Sequence, residues 1–336
     1  MEKAKANLRV QQWVLTTAIL LFAIKLVSYF LTHSVAVLTD ALDSTVNVIA
    51  GIIGMYSLSL SAKPRDQNHP YGHGKAEFLS AAIEGILIIL AGLVIIYQAV
   101  YNLFHKNVLE KLNYGILLSI GSAVINFVVG RIAIRQGKKN KSLALEASGY
   151  HLQTDTFSTI VVIFGLIAIA LTGISEIDSL VAIIMSAIIM VVGYRIARKS
   201  IAGIMDEADE KILGRMVELL HLHPHENWID IHNLRVIKFG SILHVDCHLT
   251  VPWYLDVHQA HREIDQLTAL IRDEFGQTME FYVHADGCMD FSCAICSKGD
   301  CPVRKHGFEK KISWNLENLI SNRKHSLIEQ KQHADS

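Results

Sequence analysis

Proline is scarce, with 5 residues in a chain of 336, and glycine reaches only 21. That excludes a collagen-like or low-complexity chain. Neither sign of charge is in excess: Lys+Arg number 31 against Asp+Glu 32, for a net charge of -1. A balanced chain without a concentrated basic face is not expected to bind nucleic acid. The patterns HExxH, GxSxG and the P-loop are missing, which sets aside a membrane-bound hydrolase. No internal repeat is visible. Charged residues make up only 19% while hydrophobic residues make up 51%, and the mean hydropathy is +0.31. Such a chain is too apolar for an ordinary soluble enzyme and too charged for a purely membrane one. The expectation is a membrane part plus a water-soluble part, in about two domains of ~150 residues.

What is abundant is uninterrupted apolar sequence. Residues 11–62 hold only three charged side chains, Lys25, Asp40 and Asp43, within two apolar runs at roughly 12–31 and 34–60. A third run covers 78–104 with Glu84 as its only charge, and others cover about 112–134, 144–172 and 178–200. Each is near or above the ~20 residues that cross ~30 Å of hydrocarbon. Lipid offers the backbone no hydrogen-bond partners, so these runs should be helices. The expected fold class is an α-helical membrane protein with six transmembrane helices plus a cytoplasmic α+β domain. Lys3, Lys5 and Arg9 precede the first run, and Lys63, Arg65 and Lys75 lie between the second and third. Arg135, Lys138, Lys139 and Lys141 lie between the fourth and fifth, and Arg195, Arg198 and Lys199 close the sixth. The positive-inside rule then puts both termini in the cytoplasm. The first run is too long for a cleaved signal peptide.

From Asp206 onward the pattern changes. Helical spacing over 209–222 and 256–275, and strand-like segments at 229–238, 242–251 and 278–285, predict the order αββαβ. The boundaries expected are a six-helix transmembrane domain at 1–205 and a small α+β domain at 206–287. A Cys-rich segment and polar tail follow at 288–336.

Charge within hydrocarbon is costly and needs a reason. Asp43 and Asn47 are four apart in the second run, and His151 and Asp155 are four apart in the fifth. Each pair shares a helix face. Two such pairs on facing helices can offer four ligands to one tetrahedral cation, and carboxylate oxygen with imidazole nitrogen suits Zn²⁺, with Fe²⁺, Co²⁺, Ni²⁺, Mn²⁺ and Cd²⁺ as the open alternatives. The same groups carry protons, and a histidine must lose its proton to bind metal. The competing reading is a polar network that packs helices together. Asp40 lies on the same stripe, as a relay, a replacement ligand or a water-exposed residue. Lys25 reads as a snorkelling side chain. Glu84 has no assigned partner.

Between the second and third runs, Asp66, His69 and His73 can converge on a metal if Gly72 and Gly74 allow a tight turn; the alternative is a solvated hinge. In the soluble part, His244, Asp246 and His248 alternate on one strand face, as do His284 and Asp286. With His232 and His261, these residues allow a bridged dinuclear site at His232, His248, His261, His284 and Asp286, or else a merely His-rich surface. Cys288, Cys293, Cys296 and Cys301 form a compact four-thiol set. Cytoplasmic thiols stay reduced. Structural zinc is favoured, an iron–sulfur cluster is second, and free or redox-active thiols remain open. Cys247 faces away from His248 and should be core.

These patches, SVAVLTDALDSTVNVIAG, DQNHPYGHGKAEF, YHLQTDTFS, IHNLRV, VDCHL, QAHREID and YVHADG, resemble the cation diffusion facilitator family, in particular its YiiP-type bacterial zinc/proton antiporters. The resemblance covers about residues 10–287. It implies a secondary transporter rather than an enzyme: a homodimer in the lipid bilayer of the bacterial inner (plasma) membrane, exporting divalent cations in exchange for protons. It implies a transport site at Asp43, Asn47, His151 and Asp155, a loop site at Asp66, His69 and His73, and the dinuclear cytoplasmic site named above. Two features depart from the pattern. Similar zinc antiporters carry Asp where this chain has Asn47, leaving one anion fewer, and the four-cysteine tail lies outside the family pattern. A non-transporting metal sensor or partner subunit is the alternative that these departures motivate.

Overall fold

The computed structural model describes residues 2–32, 35–104, 113–172, 176–240, 242–276 and 279–327. Side chains are described for the same residues outside 2–4, 28–43, 98, 102–103, 113–119, 158, 161–179, 181–182 and 185. The chain forms two compact units. One comprises Met1–Met205 with Phe239–Ser241, and the other Asp206–Lys238 with Ile242–Ser336.

The first unit contains six long helices: α1 (Glu2–Thr32), α2 (Val35–Ser61), α3 (Ala76–Phe104), α4 (Asn113–Asn140), α5 (Leu143–Thr172) and α6 (Glu176–Ile204). The shortest has 27 residues, about 40 Å at ~1.5 Å per residue, which exceeds ~30 Å of hydrocarbon. Among the described residues, three stretches are long and apolar enough to cross a membrane by length and composition: Lys5–Val27, Ser44–Ser61 and Ala76–Tyr101. The expected six spans are thus six helices, of which three meet that measure.

The packing is inverted relative to a water-soluble bundle. Leu20, Ile52, Leu90, Val94 and Val191 face outward, whereas Gln11, Glu84, Ser148 and His151 are buried. An interior that keeps its polar groups and an exterior that sheds them is what hydrocarbon solvent selects. α3 packs closely on α6, α4 on α5, and α1 on α2. At the first of these contacts a Cβ on Gly85 would lie 2.7 Å from the Ala197 nitrogen and 2.8 Å from the Gly193 carbonyl oxygen. Only a residue without a side chain lets the backbones approach so closely. Hydrogen bonds cross the bundle centre. The Gln11 amide donates to the Gly51 carbonyl at 3.3 Å and to Ser148 Oγ at 3.2 Å, and Ser148 Oγ donates to Glu84 Oε1 at 2.6 Å. Lys25 Nζ donates to Ser44 Oγ at 2.9 Å, so this cation is held by a hydroxyl.

The second unit contains α7 (Glu210–Leu222), β1 (Asp230–Phe239), β2 (Ile242–Val251), α8 (Val257–Phe275) and β3 (Met279–Gly287). The strand order is β1-β2-β3, and β2 and β3 run parallel with α8 as their crossover. Capping explains the helix starts. Asp209 accepts from the Lys211 and Ile212 N–H groups, and Asp256 with Gln259 forms a capping box on α8. Strand alternation explains the core: Leu243, Val245, Cys247, Leu249 and Val251 all point inward, against Met216, Leu220, Leu267 and Ile271. Burial pushes the Cys247 thiol up to about 12, with the Asp246 charge adding to it, consistent with a packing role. The opposite face of β2 carries His244, Asp246 and His248. Residues 288–327 contain a short 3-10 turn (Asp290–Ala294) and α9 (Leu316–Ile320). The last part of the expected polar tail, 328–336, lies outside the described residues, as does Ser241 of the expected β1–β2 turn.

Candidate metal centres

Three groups of liganding side chains come together, two in the first unit and one in the second. Within the helix bundle, His151 Nε2 lies 2.6 Å from Asn47 Oδ1, and Asn47 Nδ2 donates to Asp155 Oδ2 at 2.6 Å. The amide therefore bridges the two members of the α5 pair. Helical register supplies this: His151 and Asp155 are one turn apart and meet a residue on α2 from the same side. Asp43 and Asp40 belong to α2, Asp43 one turn before Asn47, but their side chains lie outside the described residues. A small pocket adjoins the bridge, lined by Asn47, Gly51, Glu84, Ser148, His151 and Leu152 among others. Glu84, a carboxyl with no assigned partner in the sequence reading, is fully buried here. Its neighbour is Ser148 on α5.

In the α2–α3 connection, the ligand atoms of Asp66, His69 and His73 all lie within 4.8 Å of one another. The turn is built around Asp66. Its Oδ1 accepts from the N–H groups of Asn68 at 2.9 Å and His69 at 2.7 Å, and His69 Nδ1 lies 3.0 Å away. His73 Nε2 is 3.4 Å from Asp66 Oδ2. Gly72 takes φ +90 and its N–H donates to the His69 carbonyl at 2.9 Å, a conformation that favours glycine and brings His73 back over His69. Desolvation opposes ionisation of Asp66, yet the His69 N–H and ring, with the Asn68 N–H, hold its carboxyl below the ordinary range. The group is anionic and solvent-facing, ready for a divalent cation.

In the second unit, the ligand atoms of His232, His248 and Asp286 lie within 4.8 Å of one another. Sheet register creates this group: β2–β3 pairing sets His248 opposite His284 and Thr250 opposite Asp286. The His248 and His284 rings are 4.7 Å apart, and the His232 and His248 rings 5.0 Å. His284 Nδ1 is 3.3 Å from Asp286 Oδ1. Four of the five expected residues thus cluster. The fifth, His261, is exposed on α8, where its Nε2 faces Asp265 at 3.7 Å. His244 pairs instead with Glu280 at 3.4 Å, its register partner four residues back along the strands. Burial raises the Asp286 carboxyl, but His248, Lys324 and His284 together hold it below the usual range.

Three residues beside this group escaped the sequence reading. Asp230 Oδ2 is 3.3 Å from His232 Nδ1, and Asp230 Oδ1 is 2.7 Å from His325 Nδ1. Lys324 Nζ is 3.5 Å from Asp286 Oδ1. Asp230 was findable, since it alternates with His232 on β1 and a ring nitrogen commonly leans on a carboxylate behind the ligand. Burial opposes its charge, yet His232 and His325 hold it far below the ordinary range. Lys324 and His325 carry no signal in sequence, because only tertiary folding brings the tail there. An anionic His/Asp cluster of this kind fits a divalent cation bound through imidazole and carboxylate. The four cysteines of the tail line a further cavity.

Comparison with known proteins agrees with this division. Residues 13–205 match the family profile described as the cation efflux transmembrane domain, and residues 208–288 match the cation efflux protein cytoplasmic domain. An uncharacterized transporter of Synechocystis is 33% identical over 73% of this chain and 79% of its own length. The manganese efflux system protein MneS of Bacillus subtilis is 28% identical over 76% of this chain and 87% of its own. The cation-efflux pump FieF of Shewanella oneidensis is 25% identical over 80% and 90%.

Proposed function

The chain belongs to the cation diffusion facilitator family of cation efflux transporters, integral membrane proteins rather than enzymes, and from that premise we propose that it exports Zn²⁺ in exchange for protons. In this reading it is a homodimer with six spans per subunit, in the bacterial inner membrane, with both termini in the cytoplasm. The domains divide as 1–205 for transport, 206–287 for cytoplasmic metal binding and dimerisation, and 288–336 for the Cys-rich tail.

The observation that carries the proposal is the bridge His151–Asn47–Asp155, with 2.6 Å at both contacts. It brings three of the four expected ligands together, tied to one another by hydrogen bonds. An entering cation takes Asn47 Oδ1, His151 Nε2 and Asp155 carboxylate oxygen, with Asp43 as the fourth ligand, and His151 gives up its Nε2 proton. When the cation leaves outward, a proton returns to the ring and the bridge closes. That exchange is the antiport step, and rocking of the helices alternates access around it. Glu84, lining the adjoining cavity, supplies a second buried group able to take a proton.

Asn47 changes the proton count. Two carboxylate oxygens placed at the Asn47–Asp155 separation would have to share a proton, since like charges that close do not both ionise. The Asn47 amide N–H does that work permanently. The site therefore exchanges fewer protons per cation than one carrying Asp at this position.

Zinc is favoured because imidazole with carboxylate suits it better than manganese, which sits at the weak end of the divalent series and prefers oxygen donors. The efflux relatives named for manganese and for cations in general make the choice a matter for measurement. The test is uptake into proteoliposomes under a pH gradient, compared across Zn²⁺, Fe²⁺, Co²⁺, Ni²⁺, Mn²⁺ and Cd²⁺. Zinc flux that dissipates the gradient and vanishes in Asp155→Ala is expected. Unchanged flux in that variant defeats the site assignment. Metal binding by the soluble part with no flux of any cation favours a sensor or partner subunit.

A further inference from the structure

Residues 288–311 are poorly equipped to fold by burial. Among them only Ser292, Ile295 and Cys296 are buried, and regular structure is limited to the 3-10 turn at Asp290–Ala294. Their apolar cluster consists of Ile295 and Cys296 against Ile229 and Ile312, with Cys288 and Leu327 at its edge. A core of that size does not hold a segment of two dozen residues; small units of this kind depend on disulfides or a metal. The five cysteines of the described chain are all unbridged.

Four of those thiols nevertheless face one pocket. Cys288 follows β3, and its N–H donates to the Val251 carbonyl at 2.8 Å. Cys293 and Cys296 flank a tight turn in which the Cys296 N–H donates to the Cys293 carbonyl at 3.4 Å. Cys301 arrives from the next loop. All four line one small pocket, together with Ile229, Pro252, Lys298 and Arg304. Arg304 braces the wall by donating to the carbonyls of Cys293 at 3.2 Å, Cys296 at 3.2 Å, His306 at 3.4 Å and also Lys298. A divalent ion with four thiolates would carry two negative charges, and Arg304 places a cation beside them, while Lys298 is paired with Asp300 at 3.0 Å and Glu226 at 3.5 Å.

We propose that Cys288, Cys293, Cys296 and Cys301 form a four-thiolate zinc site that folds residues 288–312 and docks the tail on the second unit. The metal supplies the folding energy that the small core lacks. Beyond it, Trp314 and Leu319 enter the main core, and the Ser321 carbonyl accepts from the Asn233 N–H at 2.6 Å. Lys324 and His325 are thereby delivered to Asp286 and Asp230. The site is structural and distinct from the cation path, so its test does not use flux.

The test is Co²⁺ titration of the full-length chain, purified in detergent and stripped with a chelator. Thiolate-to-cobalt charge-transfer absorbance in the near ultraviolet is expected, and Zn²⁺ should bleach it. The histidine and carboxylate sites give no such band, and Cys247 is sealed in the core. Cys293→Ser/Cys296→Ser should abolish the band. Cys296→His, which keeps four ligands, should retain about three-quarters of it. Zinc should also protect Lys305, Lys310 and Lys311 from trypsin in the unsubstituted chain, with protection lost on chelation. Absence of the band, its persistence in the double serine variant, or iron with acid-labile sulfide in place of zinc would each overturn the proposal.

Discussion

The two units solve opposite solvent problems with the same twenty side chains. In the helical unit Gln11 and Glu84 are fully buried while Val94 is 66% exposed. In the αββαβ unit Ile231, Leu249 and Leu267 are fully buried, and its buried carboxylates are paired, Asp230 with His232 and Glu263 with Trp228 and His225. Water drives apolar groups inward in the second unit. Lipid gives no such drive in the first, where close backbone approach and interhelical hydrogen bonds hold the bundle. A polar residue inside the first unit is therefore either glue or cargo site, whereas in the second it is costly unless paired. Under the proposed function the comparison also separates two kinds of candidate metal group: one that would release its ion, tied by its own amide bridge, and one braced from behind by Asp230.

The largest expected effect tests that separation. His151→Ala should reduce cation flux in proteoliposomes to background while leaving Zn²⁺ binding by the second unit intact. His248→Ala should do the reverse, weakening binding there by at least ~10–100-fold and changing flux only modestly. Isothermal titration and flux assays on the same preparations give both readings. If His248→Ala abolished flux as completely as His151→Ala, the two groups would not be functionally distinct.

Next comes the contrast in packing. Leu267→Ala, in the core of the second unit, should cost about 2–5 kcal/mol. Leu90→Ala, exposed on α3, should change stability by less than ~1 kcal/mol, because one apolar surface replaces another in contact with lipid. Chemical denaturation of the purified protein, followed by the fluorescence of buried Trp228, checks the first. Helical dichroism checks the second. Equal losses would mean that the outer surface of the bundle is not lipid-facing.

A smaller effect bears on the bridge. Asn47→Asp should tighten Zn²⁺ binding at the transport site about tenfold, ~1.4 kcal/mol, by restoring an anion. It should also steepen the dependence of flux on pH, because the two carboxylates then share a proton that the cation must expel. A variant with tighter binding and an unchanged pH dependence would leave the amide's proton-replacing role without support.

Much of this was legible before folding, and the reasons are local. Strand alternation and turn chemistry placed β1, β2, β3 and α8 within a residue or two, because each carries a period that a core must satisfy. The i,i+4 spacing of His151 and Asp155 put them on one face, and Asn47 joined them as expected. The loop group was readable because Gly72 sits where a left-handed residue is required. The clustering of His232, His248, His284 and Asp286 was legible as a strand pattern. His261 lies on α8, outside that strand pattern, and within this chain it faces Asp265. What escaped depends on long-range packing. Lys324 and His325 reach the cluster only because the tail is docked, and Glu84 acquired its neighbour Ser148 through the α3–α5 contact, which no pattern within either helix encodes.

The smallest effect concerns how the second unit begins. Asp209 caps α7, accepting from Lys211 and Ile212 at 3.1 and 3.2 Å, and its other oxygen meets Lys238 of β1. Burial opposes the charge, but Lys238 and the two N–H groups hold the carboxyl below its ordinary 3.8. A carboxyl that is more acidic folded than unfolded adds stability above its unfolded value, and the contribution fades as pH falls through the folded one. Asp209→Ala should therefore cost about 1 kcal/mol at neutral pH, and the penalty should shrink on acidification through the carboxylate range. Asp209→Asn, which keeps a capping oxygen and loses the charge, should recover most of the neutral-pH loss while flattening the acid limb. Melting curves of the three proteins over that pH range decide it. A penalty in Asp209→Ala that did not change with pH would mean that the cap acts through geometry alone and that Lys238 contributes nothing to it.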